Sequence, residues 1–283
     1  MESIIKSINS IDGNYIIIFL IALFYSLEFL IGTPFKFDRR INHFFNNFVF
    51  MLAFYLANLA FAVVQVSLIN WSTIHQFGFF HWIEVPLWLK VILGVMCLDF
   101  TSYWFHRLAH TSPLLWRLHR VHHSDTTMDT STFFRGHPFE VLVFGTSSIV
   151  ACIIFGIELQ ILGVYFIVQL PFLVAQHANI QLPDWTDKVF GKVFITPNIH
   201  KVHHDQKQYY TDSNFADIFV FWDKLFGTYK YVSVKSLHYG LKEFDANKKQ
   251  TFWYLMISPF MKIDRNIDDK PLLSLGKTPK NKK

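Results

Sequence analysis

The chain has 283 residues, of which 52% are hydrophobic and 18% aromatic, with thirty-two Phe, a mean hydropathy of +0.26 and a formal charge of +5. This composition excludes an ordinary soluble domain and points to a polytopic membrane protein. The two cysteines, Cys97 and Cys152, sit inside apolar runs, so no disulfide framework, Cys-type zinc site or iron–sulfur cluster is expected.

The first apolar run, 14–32, is long enough to cross a hydrocarbon core of about 30 Å. Residues 1–13 are not strongly basic and no small-residue cleavage site follows, so a span is expected rather than a signal peptide. Glu28 reads as a carboxylate that snorkels or faces the bundle. A connector with Lys36, Arg39 and Arg40 leads to a second span, 44–69. The stretch 70–86 has aromatics but no Lys or Arg, as expected of an interfacial connector on the far side, and His75 and His81 are assigned to that interface. A third span, 87–105, runs directly onto His106. Asp99 lies seven residues before it, two turns along the same face, and is expected to orient a liganding imidazole.

Residues 107–137 are basic and polar. Apolar runs from 139 and from 161 to 175 then read as a helical hairpin. From 178 onward the chain mixes aromatics with charges, as in short helices that cap the bundle or lie in its interface, and it ends in a frayed basic tail, LGKTPKNKK. Seventeen of the 26 Lys and Arg follow His177, which suits a face beside anionic lipid and not a nucleic-acid partner. Five crossings with the N-terminus outside put the basic connector, the first histidine region and the tail on one side, the cytoplasm by the positive-inside rule. The expected fold is all-α: a membrane bundle of four to five helices under a cytoplasmic, histidine-rich helical cap holding a di-metal site. Three parts are expected: N-terminal membrane helices (1–85), a catalytic domain (86–230) and a C-terminal extension with the basic tail (231–283).

Eight of the fourteen histidines fall in two short blocks. The first carries His106, His110, His119, His122 and His123; the second carries His200, His203 and His204 and repeats the His-x-x-His-His spacing. Residues three and four apart share a helix face, so each block offers two or three imidazoles to one point. Imidazole binds iron, zinc, copper or nickel as a neutral ligand, and one ion takes about four to six donors. Eight histidines exceed that, so two metals are expected. Redox-active ions held by imidazoles beside a bilayer suit O2 activation against a lipid C–H bond. Zinc could fill the same ligands in a purified sample, but it has no redox chemistry.

His-Arg-Leu-Ala-His at 106–110, His-Arg-Val-His-His at 119–123 and His-Lys-Val-His-His at 200–204 resemble the histidine boxes of the fatty acid hydroxylase/sterol desaturase superfamily, which are membrane non-haem di-iron oxygenases. The likeness extends through 122–140 and 211–229, roughly residues 90–230 in all, and is strongest to a bacterial branch related to alkylglycerol monooxygenase. The resemblance implies that the eight box histidines bind two iron ions, with His177 as a ninth ligand. Where some relatives have a further histidine, this chain has Gln181, which leaves one metal a water or another donor. His137 is implied as a ligand or outer partner. Asp99, Asn179, Asp205, Asp212 and Asn214 are candidate outer partners. His43 and His238 receive no role.

The implied activity is O2-dependent hydroxylation of a membrane lipid (fatty acyl, ether lipid or sterol-like), with desaturation at the same di-iron unit as an alternative. No Gly-rich dinucleotide fingerprint is present, so a separate electron donor (ferredoxin, cytochrome or reductase) is implied. The expected location is a bacterial inner membrane. A histidine-rich metal transporter or sensor is the alternative of another class, and the lack of a polar track at mid-membrane depth counts against it.

Overall fold

A computed structural model describes residues 1–32 and 37–265 of the protein. Lys36, the Arg39 side chain and the basic tail lie outside the described residues. Among the described residues the fold is all-α and no sheet forms. The helices are α1 (Glu2–Asn9), α2 (Gly13–Ile31), α3 (Phe37–Ile74), α4 (Phe79–Trp82), α5 (Leu87–Thr111), α6 (Pro113–His123), α7 (Val141–Phe155), α8 (Leu159–His177), α9 (Asp184–Val189), α10 (Pro197–His203), α11 (Gln208–Thr211), α12 (Phe221–Leu225) and α13 (Phe252–Ile257).

Five segments are long and apolar enough to cross a membrane: Gly13–Ile31, Arg40–Trp82, Leu87–Thr111, Pro138–Phe155 and Leu159–His177. They leave large apolar side chains such as Phe29, Leu56 and Val63 on the outside of the bundle, where a soluble protein would place polar ones. The protein is an integral membrane protein.

Two expected spans change their bounds. The second span begins well before 44 and ends beyond 69, because α3 is 38 residues long. At 1.5 Å per residue it measures about 57 Å, nearly twice a hydrocarbon core, so the helix is longer than one crossing needs, and its first turns are polar. Those turns carry Arg40, His43, Asn46 and Asn47. The third span also overruns its expected end at 105. Nothing in its sequence breaks the helix before Ser112, which precedes Pro113 and turns to extended backbone, φ −83° and ψ 120°. His106 and His110 therefore ride on α5 itself.

The two ends of the bundle differ. At one end the chain reverses from α3 to α4 and from α7 to α8, and Gly78 lies against Gly156. Asn9 of α1 reaches the same end, donating to the Gln160 carbonyl at 3.1 Å. At the other end the last turn of α2, the first turns of α3, the last turns of α5 and α8 and the start of α7 come together with α6, α10 and the turns between them. The spans pack through buried Leu98 of α5, Cys152 of α7 and Ile161, Leu162 and Tyr165 of α8. All nine candidate ligands lie at the second end. His75 and His81, as expected, lie at the first: His75 stacks on Trp71 at 4.8 Å, and the His81 ring lies beside Gly156.

Gly78 has φ +112° and Gly156 has φ +69°, and a Cβ on Gly78 would stand 2.3 Å from the Gly156 nitrogen. Gly78→Ala therefore meets both backbone strain and a backbone clash. It is expected to cost about 2 kcal/mol or more and to lower the melting temperature of the detergent-solubilised protein. An unchanged melting curve would contradict this packing.

Candidate metal centre

Local sequence delivers each histidine. The Ser112–Pro113 break folds α6 back beside α5, so that His119 approaches His106. Pro197 opens α10, and the Thr196 hydroxyl caps it by accepting the Ile199 N–H at 3.2 Å. His177 ends α8.

Nine imidazoles converge in two adjacent groups. His106, His110, His119, His123 and His203 form one; His122, His177, His200 and His204 form the other. Within each group the ligand atoms lie within 4.8 Å of one another. All are buried except the half-buried His122.

The grouping corrects the expectation that each His-x-x-His-His block serves one point. In α6, His119 and His123 join the five-histidine group while His122 crosses to the other. At α10, His200 and His204, the residue just past the helix end, join the four-histidine group while His203 crosses. Helical geometry is the cause. Residues i and i+4 differ by about 40° around the axis, but i+3 and i+4 are neighbours about 100° apart and point to different groups. Each block thus serves both centres in opposite proportion. The groups interlock, with the His123 and His204 rings stacked at 4.6 Å.

The proton inventory shows that these sites fit a cation. His122 Nδ1 lies 3.1 Å from the Arg135 carbonyl and His177 Nδ1 2.7 Å from the Leu173 carbonyl. A carbonyl only accepts, so each Nδ1 carries the proton and each Nε2 presents a lone pair. Yet His122 Nε2 and His177 Nε2 stand 3.1 Å apart, with no proton to share. The His106 Nε2 to His119 Nε2 distance is also 3.1 Å, with His106 Nδ1 directed at the Phe215 carbonyl. The Nε2 atoms of His110 and His203 are buried without a hydrogen-bond partner among the described residues. Two nitrogens about 2.1 Å from one ion and at right angles would be about 3.0 Å apart, close to what is observed.

Protonation cannot relieve this crowding. Burial, reinforced by neighbouring imidazoles, holds His119, His122, His123, His200 and His204 well below the ordinary histidine range, and His203 follows for the same reason. Their neutral form is the ligand form.

Several imidazoles are oriented from behind. His203 Nδ1 donates to the Ser213 carbonyl at 2.6 Å, His110 Nδ1 to Asp212 Oδ1 at 3.2 Å and His119 Nδ1 to Glu140 Oε1 at 2.8 Å. Glu140 was not singled out in the sequence. The available signal was a carboxylate at the mouth of an apolar helix, which is costly unless it is paired.

The remaining candidates stand elsewhere. His137 joins neither group: its Nε2 donates to the Met256 carbonyl at 3.2 Å and its Nδ1 caps the Pro138–Glu140 turn. Asp99 reaches no imidazole directly. Its carboxylate accepts the N–H groups of Ile218 and Phe219 and the Trp222 indole at 2.9–3.1 Å, tying down the loop whose Phe215 carbonyl meets His106. Asp205 accepts the Lys207 and His238 N–H groups. Asn214, at φ +51°, pairs with Ile199 and Lys230. The Asn179 N–H meets Glu28. Gln181 is exposed. His43 contacts Asp125 and Asp129 at 2.8–3.2 Å, a pairing of distant segments that sequence proximity does not suggest.

Fold and site together define a polytopic α-helical membrane protein with a paired polyhistidine site at one end of its bundle. Residues 91–228, which contain all nine histidines, match the family described as fatty acid hydroxylase. It is 32% identical over 172 residues to an alkylglycerol monooxygenase of Danio rerio, covering 57% of this chain and 35% of that protein. The Homo sapiens alkylglycerol monooxygenase is 33% identical over 167 residues, 56% of this chain and 34% of that protein. A very-long-chain aldehyde decarbonylase of Oryza sativa subsp. indica is 29% identical over 180 residues, 62% of this chain and 66% of that protein. The chain thus spans about a third of the length of these two monooxygenases. No solved structure matches it.

Glu140→Ala leaves His119 Nδ1 without its acceptor. The expected result is a metal affinity about 10–100-fold weaker at the five-histidine group, measured by chelator competition on purified protein. Wild-type affinity would remove Glu140 from the site.

Proposed function

We propose that this protein is a non-haem di-iron oxidoreductase that uses O2 to hydroxylate a C–H bond of a membrane lipid. The observation that carries this reading is the convergence of nine imidazoles, eight of them buried and His122 half-buried, with Nε2 lone pairs crowded together, into two adjacent groups at the end of a membrane bundle. The five-histidine group would hold one ion and the four-histidine group the other. Iron would supply redox chemistry and O2 activation, because it changes oxidation state and keeps open positions among nitrogen ligands.

The chain's own residues bind and orient. Carbonyls at Leu173, Arg135, Ser213 and Phe215, with Glu140 and Asp212, fix the ring planes. Phe144 of α7 lies 5.9 Å from the His106 ring and 5.6 Å from the His119 ring, Phe215 lies 5.1 Å from His110, and Phe133 lies 6.2 Å from His177. These rings exclude water and offer an apolar wall to an acyl or ether-linked chain arriving from the bilayer. The relatives' names, alkylglycerol monooxygenase and aldehyde decarbonylase, favour a long-chain lipid substrate.

A one-electron carrier or reductase outside this chain would supply electrons. The histidine end would face the cytoplasm of a bacterial inner membrane with the N-terminus outside. Support for this sidedness is the basic charge at the histidine end, including Arg40, Arg107, Arg117, Arg120 and Arg135.

Purified protein is expected to carry two irons per chain and, with a reductant system and membrane lipid, to consume O2 and yield a product with one oxygen atom gained. His122→Ala and His203→Ala should lose activity and metal, while His75→Ala keeps both. Loss of two hydrogens from the product would replace hydroxylation with desaturation. Absence of iron together with no O2 uptake after iron reconstitution would overturn the proposal.

A further inference from the structure

Glu28 lies near the end of the first span, 63 positions before the stretch that matches the family begins at residue 91. Its side chain is wholly buried. Oε1 accepts three hydrogen bonds: from the Thr130 N–H at 2.6 Å, the Thr130 hydroxyl at 2.6 Å and the Asn179 N–H at 2.8 Å. Oε2 pairs with the Arg40 guanidinium at 2.6 Å. One carboxylate therefore joins α2, the start of α3, the Thr130–Phe134 turn and the turn that follows α8.

Both turns lead to the four-histidine group. The Thr130–Phe134 turn ends at Arg135, whose N–H bonds the Thr132 carbonyl at 3.0 Å and whose own carbonyl accepts His122 Nδ1–H. Asn179 lies two residues after His177. The adjoining Ile180 carbonyl accepts the Lys201 ammonium, and Lys201 follows His200 in α10. Three of the four imidazoles are thus one short link from Glu28. The five-histidine group rests on other supports: the 212–215 loop, which meets His106, His110 and His203 and is tied down by Asp99 and Asp223, and Glu140.

We infer that Glu28 is a positioning residue for the four-histidine centre, so that α2, outside the family match, selectively sets the affinity and electronic environment of one of the two metals. A buried carboxylate that satisfies two backbone N–H groups and one cation holds those turns only while it keeps its charge and both oxygens as acceptors. Replacing it by an amide discards the charge and turns one acceptor into a donor facing Arg40. The turns carrying Arg135 and Asn179 then loosen, and with them the rings of His122 and His177.

This inference rests on the reading that both groups bind metal, and the experiment separates the two. Full-length protein in nanodiscs is loaded with 57Fe, and Mössbauer signals are assigned to each centre with His200→Ala and His110→Ala. Chelator release is then followed for wild type and Glu28→Gln. The expected result is that Glu28→Gln changes the signal of the four-histidine centre and releases its iron about tenfold more readily, leaving the other centre unchanged. If Glu28→Gln fails to fold, Thr130→Val, which deletes one of the four contacts, should show the same selectivity at smaller amplitude. Equal effects on both centres, or none on either, in a wild-type background that holds two irons would overturn the role of Glu28 alone. A wild-type chain that binds no metal at either group would remove the reading beneath it.

Discussion

Everything at the histidine end follows from one electrostatic constraint: imidazole lone pairs held about 3.1 Å apart, in a buried setting, with no proton between them. Neutral rings in that arrangement repel, and protonated ones would carry charge into a low-dielectric interior. A cation between them resolves both problems. The outward hydrogen bonds matter for the same reason, since each carbonyl or carboxylate behind an Nδ1 fixes the tautomer that turns a lone pair inward.

The bundle is built to sustain this crowding. Two helices, α5 and α6, meet at a Ser-Pro break and supply five of the imidazoles. α10 and the residue just past its end supply three more and α8 one. Because the i+3 and i+4 positions of a helix diverge, each of α6 and α10 reaches both groups. Buried carboxylates then secure the loops. Asp99 and Asp223 hold the backbone that meets α5 and α10, and Glu28 and Asp125 hold the turns near α6 and α8. In a span such carboxylates are costly unless fully paired, and each of these is paired.

Much of this was legible in the linear chain. Span positions followed from runs of apolar residues, and the paired histidine spacing marked the site, because both signals are local. What was misjudged involves partners distant in sequence. Asp99 looked aligned with His106 along α5, yet its oxygens are taken by backbone at 218 and 219, since a loop from the cap enters the bundle there. The family resemblance implies His137, in Gly-His-Pro-Phe-Glu, as a ligand or outer partner, but the proline after it turns the chain and the ring caps that turn. Glu140, His43 and Glu28 gave little sign because each has a partner far along the chain, 21, 82 and 151 positions away respectively.

Amino-acid order alone determined the all-helical membrane architecture, the number of spans and the histidines concerned, since hydropathy and helical spacing act over a few turns. Only the tertiary structure decided how those histidines divide five and four between two groups, which acceptors set their tautomers, and that the first span reaches into the site. Those outcomes depend on the angle at which separate helices cross and on which loop fills the space between them, and no local pattern encodes either.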